Sequence, residues 1–548
     1  MFSDLNELQD GQALQYDLCI VGGGAAGISI AMEFVDTALS VCVLESAAAY
    51  HDASQRLYGA RQSSPKRARN IETGAHHGAE AIHSRLRYFG GSTNHWGGYC
   101  TPLTPHDLAP RDCIPDSGWP IGWDELSRYY PRAQTLCEAG PFIYDESLWQ
   151  GLGIDQHTFD PARLVNRFYQ FSPPTRFGDR YGGVLRKARN VEVIFNANAT
   201  NIGLAGNART ANSITIKSFS GKRAAVRARH FIVATGGIEN ARLLLASDDV
   251  AKTGVGNSRD LVGRYFMDHL YDTVGSLLVS ERPARLMAQY AQIVPKTPTH
   301  PLSNSVNPVP FQAALTASEQ AQRQNRAGGA AIFLRGDWET TDDGIRAVYE
   351  ALDANEEDRT AERGSDLLDI LTNLDSALPE MKNVIQGKPP EHLPTLFCIA
   401  EQVPNASSRI MLDTARDALG ERRALLDWRL SDQDRRTFAQ MPALLAAEFG
   451  RLGIGRVFTS PWLDEEAMYL YRDDFSRILE PGRHHSGTTR MASASSRGVV
   501  NTDCRLFDVE NISIAGSSVF PTIGYANPTL TILALSLRLA DHLKQKLG

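Results

Sequence analysis

Near the start of the chain a continuous apolar run, residues 16–21 (YDLCIV), gives way to glycines and small residues and then to 28–34 (ISIAMEF). An unbroken run of this length, bounded by turn residues, reads as a parallel strand buried on both faces, and the segment after it as a helix. Similar strands are predicted over 40–44, 191–195 and 230–234, the last passing through Gly236 and Gly237 into a helix around 241–245. Strands that alternate with helices predict an α/β lobe on a parallel sheet. Further on, 397–402, 409–412 and 423–428 read as strands of an antiparallel sheet. Apolar residues at helical spacing in 367–385 predict a helix used for core or subunit contact. The stretch 296–310, with several prolines, reads as a loop, and the densely charged 356–365 as a solvated face or turn.

At 548 residues the chain exceeds one ordinary hydrophobic core and predicts two lobes. With 42% hydrophobic and 22% charged residues it has the make-up of a soluble globular protein, and a net charge of −7 argues against nucleic acid as a partner. The seven cysteines are scattered, with no CxxC or CxxCH spacing, which argues against zinc, attached haem or a disulfide framework. His76, His77 and His83 lie in a polar stretch without further ligands at suitable spacing, so no metal site is expected. No signal peptide and no run of 18 apolar residues is visible. A cytoplasmic location without a membrane span is expected; export alongside a partner that carries its own signal stays compatible with the sequence.

The residues between the first strand and helix, Gly22 to Gly27, spell G-x-G-x-x-G in the strand–turn–helix setting that makes this motif a dinucleotide fingerprint. Gly22 permits the tight turn, Gly24 lets a pyrophosphate approach the backbone, Ala26 is expected at the cofactor with them, and Gly27 lets the helix pack on the strand. Glu45, at the end of the second strand, stands where an acid accepts hydrogen bonds from an adenosine ribose and disfavours a 2′-phosphate.

A glycine-rich loop follows at 87–98 (RYFGGSTNHWGG). With WPIGWDELSRYY (119–130), ATGGIENARLLLAS (234–247), VGRYFMDH (262–269), HHSGTTRM (484–491), VVNTDCRLF (499–507) and AGSSVFPTIGYANPTLT (515–531), the chain resembles the glucose-methanol-choline (GMC) family of flavoproteins. The C-terminal motifs are most similar to its sugar-oxidising branch of pyranose oxidases and flavin sugar dehydrogenases. The resemblance covers nearly everything outside about 280–395. It implies an α/β fold, α+β overall: a Rossmann-like FAD-binding lobe, and a substrate lobe built on an antiparallel sheet covered by helices. The expected division is 1–275 and 476–548 for the FAD-binding domain and 276–475 for the substrate or cap domain.

By the same resemblance, Gly90 and Gly91 flank the flavin, Ser92, Asn94 and His95 run beside its dimethylbenzene edge, and Ala199 places its backbone near the adenine. Gly516 and Ser517 meet the pyrophosphate or ribityl chain, and Asn527, Pro528 and Thr529 close over the isoalloxazine. His95 stands where several members attach FAD covalently through a histidine; members with the same loop and free FAD imply the alternative, a ring packed against the flavin edge.

Oxidising an alcohol on a flavin needs a base for the hydroxyl proton, and histidine, with an ordinary pKa near 6.5, suits that task. His484 matches the histidine of the family's H-x-x-G-T pattern and is expected as the base, with Asn527 as its hydrogen-bonding partner. Neighbours on an extended segment face opposite ways, so His485 is expected behind the site. The implied reaction is FAD-dependent oxidation of a CH–OH group in a sugar, glycoside, polyol or other alcohol, by hydride transfer to flavin N5. The electrons pass to oxygen, a quinone or a redox protein. A homo-oligomer or an accessory electron-transfer subunit is compatible with this reading. The alternatives of another class are a non-redox flavin lyase of the same fold and a catalytically silent FAD-binding partner.

Overall fold

The computed structural model describes residues 1–48, 60–62, 84–154, 156–279, 283–303, 308–335, 394–463 and 480–548. His76, His77, His83, the charged stretch 356–365 and the apolar stripe 367–385 lie outside these residues.

The apolar run at the start of the chain is the end of a longer strand, β1 (Gln12–Val21), whose last four residues are buried. It is followed by α1 (Ala25–Glu33), β2 (Val41–Leu44), β3 (Val191–Phe195), β4 (Arg223–Val233) and α2 (Gly236–Ala246). These strands lie side by side in the order β3-β2-β1-β4, all parallel, with the edge strand Phe2–Asp4 beside β3. A sheet with both faces covered needs apolar residues on both sides of each strand, which is why these segments show no alternation. β4 runs on to two further neighbours. Its first half pairs antiparallel with 211–217, and its last residues pair with β5 (Ile512–Ile514), returning from the far end of the chain. The strand after β3 (Asn198–Leu204) turns back antiparallel to 211–217.

The second sheet is antiparallel and takes its strands in the order 455–459, 270–279, 395–400, 330–335, 311–317, 164–171, 99–100. It therefore reaches back well before residue 275, so the lobes interleave along the chain. One face is covered by α3 (Asp432–Leu452). α3 starts at a capping box between Ser431 and Asp434 and stops at Gly453, whose left-handed backbone (φ +70°) ends the helix. The other face carries a second, aromatic cluster: Tyr169, Phe171, Phe333 and Tyr525, with Tyr99, Tyr271 and Phe397 packed against it.

One expectation is corrected here. Of the three segments read as strands of one sheet, only Thr395–Ala400 belongs to it. Arg409–Arg416 and Arg422–Asp427 form a separate hairpin, joined by 60–62, that packs on α2. Side-chain alternation specifies a half-buried strand but not which sheet it joins.

Candidate active site

Both sheets and the return segment border one cavity of about 620 Å³. At one end lies the fingerprint turn. Gly22 has φ +111°, and a Cβ there would stand 2.5 Å from the Ala234 carbonyl oxygen. At Gly27 a Cβ would stand 1.9 Å from the Gly22 oxygen, so α1 meets the turn through bare backbone. The Glu45 carboxylate, buried in the wall, accepts from the Gly23 N–H (3.0 Å) and from the Ser46 N–H (2.7 Å). Burial pushes its pKa up while those hydrogen bonds oppose the shift. Across the cavity floor the glycine-rich loop bridges to the turn, the Gly90 N–H donating to the Gly23 carbonyl at 2.8 Å. The Gly91 Cβ that other residues carry would reach to 3.0 Å from the Gly24 Cα.

Of the residues singled out from sequence, Gly22, Gly24, Ala26, Glu45, Gly91, Ser92, His95, Ala199, Gly516, Ser517, His484, Asn527, Pro528 and Thr529 all line this cavity. Gly27, Gly90 and Asn94 stand behind its wall; Asn94 Nδ2 donates to the Phe89 carbonyl at 3.0 Å and so ties the loop. His95 ends the short turn Gly91–Asn94. Burial, with the guanidiniums of Arg483 and Arg176 nearby, lowers its pKa to about 4.

Sequence reasoning missed a charge cluster in the wall. Glu239 of α2 is held by Arg85 (2.8 Å), Arg87 (2.7 Å) and Arg242 (2.5 Å). The three guanidiniums hold its carboxyl well below the usual range against the cost of burial. Glu239 and all three arginines line the cavity. The tip of the 409–427 hairpin, through Asp417, Leu419 and Glu421, lines it too.

At the other end, His484 stands half-buried in the wall. Its Nδ1 lies 2.9 Å from His269 Nδ1, and its Nε2 lies 3.4 Å from Asn527 Nδ2. His269 Nε2 lies 2.9 Å from the Gly524 carbonyl oxygen. The Tyr271 ring packs edge-on against His484, 5.9 Å between centroids. Asn527 Oδ1 is buried and has no hydrogen-bond partner among the described residues. Burial above all, then His269 and His485, lowers the pKa of His484 well below 6.5. Burial lowers that of His269 to about 4.

The two histidines of the motif diverge although both border the cavity. His485 Nε2 lies 3.8 Å from Asp268 Oδ2 and 3.5 Å from Ser84 Oγ, and its ring packs on Phe266. Asp268 Oδ1 accepts from the His484 backbone N–H at 2.6 Å. A short antiparallel bridge between Met267 and Ser486 sets this register, so the MDH segment faces the HHS segment residue by residue. Among the described residues no group of three or more His, Cys, Asp and Glu side chains is placed to hold a metal, and no helix is long and apolar enough to cross a membrane.

A fingerprint sheet thus shares one cavity with an antiparallel roof. Residues 404–536 match the family model described as GMC oxidoreductase. The chain is 24% identical to the fructose dehydrogenase large subunit of Gluconobacter japonicus, over 97% of this chain and 98% of that protein. It is 22% identical to the 2-methyl-1,2-propanediol dehydrogenase of Mycolicibacterium austroafricanum, over 83% and 80%. Its fold is similar to that of pyridoxine 4-oxidase from Mesorbium loti, with a TM-score of 0.54 at 16% identity, covering 96% of this chain and 99% of that one. Residues 404–536 thus carry the C-terminal part of a GMC oxidoreductase, and along its length the chain is similar to dehydrogenases and oxidases.

Proposed function

We propose that the protein oxidises a CH–OH group to a carbonyl at the end of the cavity where His484 and Asn527 meet. FAD fits the cavity along its length: the bare Gly24–Gly91 approach leaves room for a pyrophosphate, Arg85, Arg87 and Arg242 in the wall offer it guanidiniums, and the wall at Glu45 and Ala199 suits an adenosine. When bound, the flavin supplies a two-electron acceptor for the hydride that leaves the alcohol carbon. His484 Nε2 takes the hydroxyl proton. The Asn527 side chain, in the cavity wall beside His484 Nε2, orients the alcohol.

The observation that carries this reading is the pairing of a neutral imidazole with an amide side chain in the wall of a cavity lined by a dinucleotide fingerprint. The aromatic face of the roof, with Tyr99 and Tyr271 in the cavity wall, suits the apolar faces of a cyclic alcohol such as a sugar or glycoside. The FAD-binding domain is then built from both ends of the chain, and the cap from the middle together with strands 99–100 and 164–171. His95, neutral and in the cavity wall, meets the flavin edge in this reading; flavin retained after acid denaturation would mark a covalent bond through it. The test of function is the anaerobic loss of flavin absorbance on adding sugars, glycosides, polyols and simple alcohols one by one. Turnover of the active compounds with oxygen, a quinone and a redox protein then identifies the acceptor.

A further inference from the structure

The His269 ring stands against that of His484, and sequence reasoning assigned it no role. Its hydrogen bonds fix the protons of both rings. A carbonyl oxygen only accepts, so the 2.9 Å contact with Gly524 requires a proton on His269 Nε2. A neutral imidazole carries one proton, which leaves His269 Nδ1 bare. The 2.9 Å contact between the two Nδ1 atoms then needs its proton from His484. His484, also neutral, is left with a bare Nε2, and the Asn527 amide on that side is a donor.

We propose that His269 is a positioning residue that holds His484 in its Nδ1–H tautomer, so that the Nε2 lone pair faces the cavity. The inference rests on the reading of His484 as the base. The arrangement also ends at Gly524: His269 Nε2–H is committed to a carbonyl that cannot accept a further proton. A proton taken at His484 Nε2 therefore stays on the cavity side and leaves by the cavity, with no exit through His269. When His484 carries both protons, His269 Nδ1 continues to accept from it, now in a charge-assisted bond. The second ring thus orients the base in both of its states, as ligating and catalytic histidines are oriented by the partner of their other nitrogen.

The test uses the holoenzyme with isotope-labelled histidine. A long-range nitrogen–hydrogen correlation spectrum reports which ring nitrogen of each histidine is protonated, and the His484 signals are those lost in His484→Gln. The wild-type protein is expected to show His484 protonated at Nδ1 alone. His269→Leu removes the acceptor; it is expected to shift His484 towards the Nε2–H tautomer and to slow anaerobic flavin reduction about 10- to 100-fold. His269→Asn restores an oxygen acceptor near the lost Nδ1, and is expected to return the tautomer and bring reduction within about tenfold of wild type. The proposal is overturned if wild-type His484 carries its proton on Nε2. It is equally overturned if His269→Leu leaves tautomer and rate unchanged, or if the two variants are equally slow while both keep the Nδ1–H form. The base reading fails separately: a His484→Ala protein that reduces its flavin at the normal rate removes it, while the spectrum still decides the tautomer.

Discussion

A histidine desolvated as strongly as His484 gives up some basicity in return for staying unprotonated. With its pKa lowered well below 6.5 it is bare at neutral pH, and the low value weakens its pull on the hydroxyl proton. The acidic limb of kcat/KM, which follows protonation of the free enzyme's base, is therefore expected below pH 6.5, and a limb centred above 7 would contradict the burial argument. Asn527→Ala should lower kcat/KM about 10- to 100-fold, the scale of one hydrogen bond in a water-excluded site; an unchanged value would remove the amide from the account. His484 and Asn527 were legible because each sits in a contiguous motif. His269 lay in a motif just as plain, yet its contact with His484 joins residues 215 apart in the chain, and no local spacing encodes such a contact. Glu239 and its arginines were hidden for the same reason.

At the scale of elements, the fingerprint turn and α1 have no slack. Gly27→Ala drives a Cβ to 1.9 Å from the Gly22 carbonyl oxygen, and should abolish the folded, flavin-loaded protein. Gly183, exposed in the helix Phe177–Lys187 with nothing within 4 Å of an added Cβ, is the contrasting case. Gly183→Ala should stabilise the protein by about 0.5–1 kcal/mol, because alanine loses less backbone freedom in a helix; denaturant titration of the two variants tests both. Parallel strands were legible from their unbroken apolar runs, since only a doubly covered strand tolerates them. The hairpin 409–427 was assigned to the wrong sheet because its pattern, half-buried at the start and exposed towards the tip, is what any edge strand shows. Its true neighbour, α2, is set by long-range packing.

For the molecule as a whole, several histidines are folded neutral. Burial lowers His230 and His485 to about 3 and His269 to about 4. In the unfolded chain they take up protons near pH 6.5, so the unfolded state binds more protons as the pH falls from there towards 4. Stability is full above 6.5 and declines below it, by at most about 1.4 kcal/mol per pH unit for each group. Asp434, raised by burial to about 6, acts in the opposite sense below that value. The unfolding temperature of the holoenzyme should thus be lower at pH 5.5 than at pH 7, and an equal or higher one would contradict the linkage.

The two ends of the chain supply one cavity, the fingerprint from one and His484 with Asn527 from the other. The direct measurement is anaerobic stopped-flow of the holoenzyme and of His484→Ala against a panel of sugars, glycosides, polyols and simple alcohols. The account predicts that at least one of these compounds bleaches the wild-type flavin, and that the variant does so about 100-fold more slowly or worse. A flavin that dithionite reduces but no member of the panel does, or a variant as fast as wild type, would contradict it.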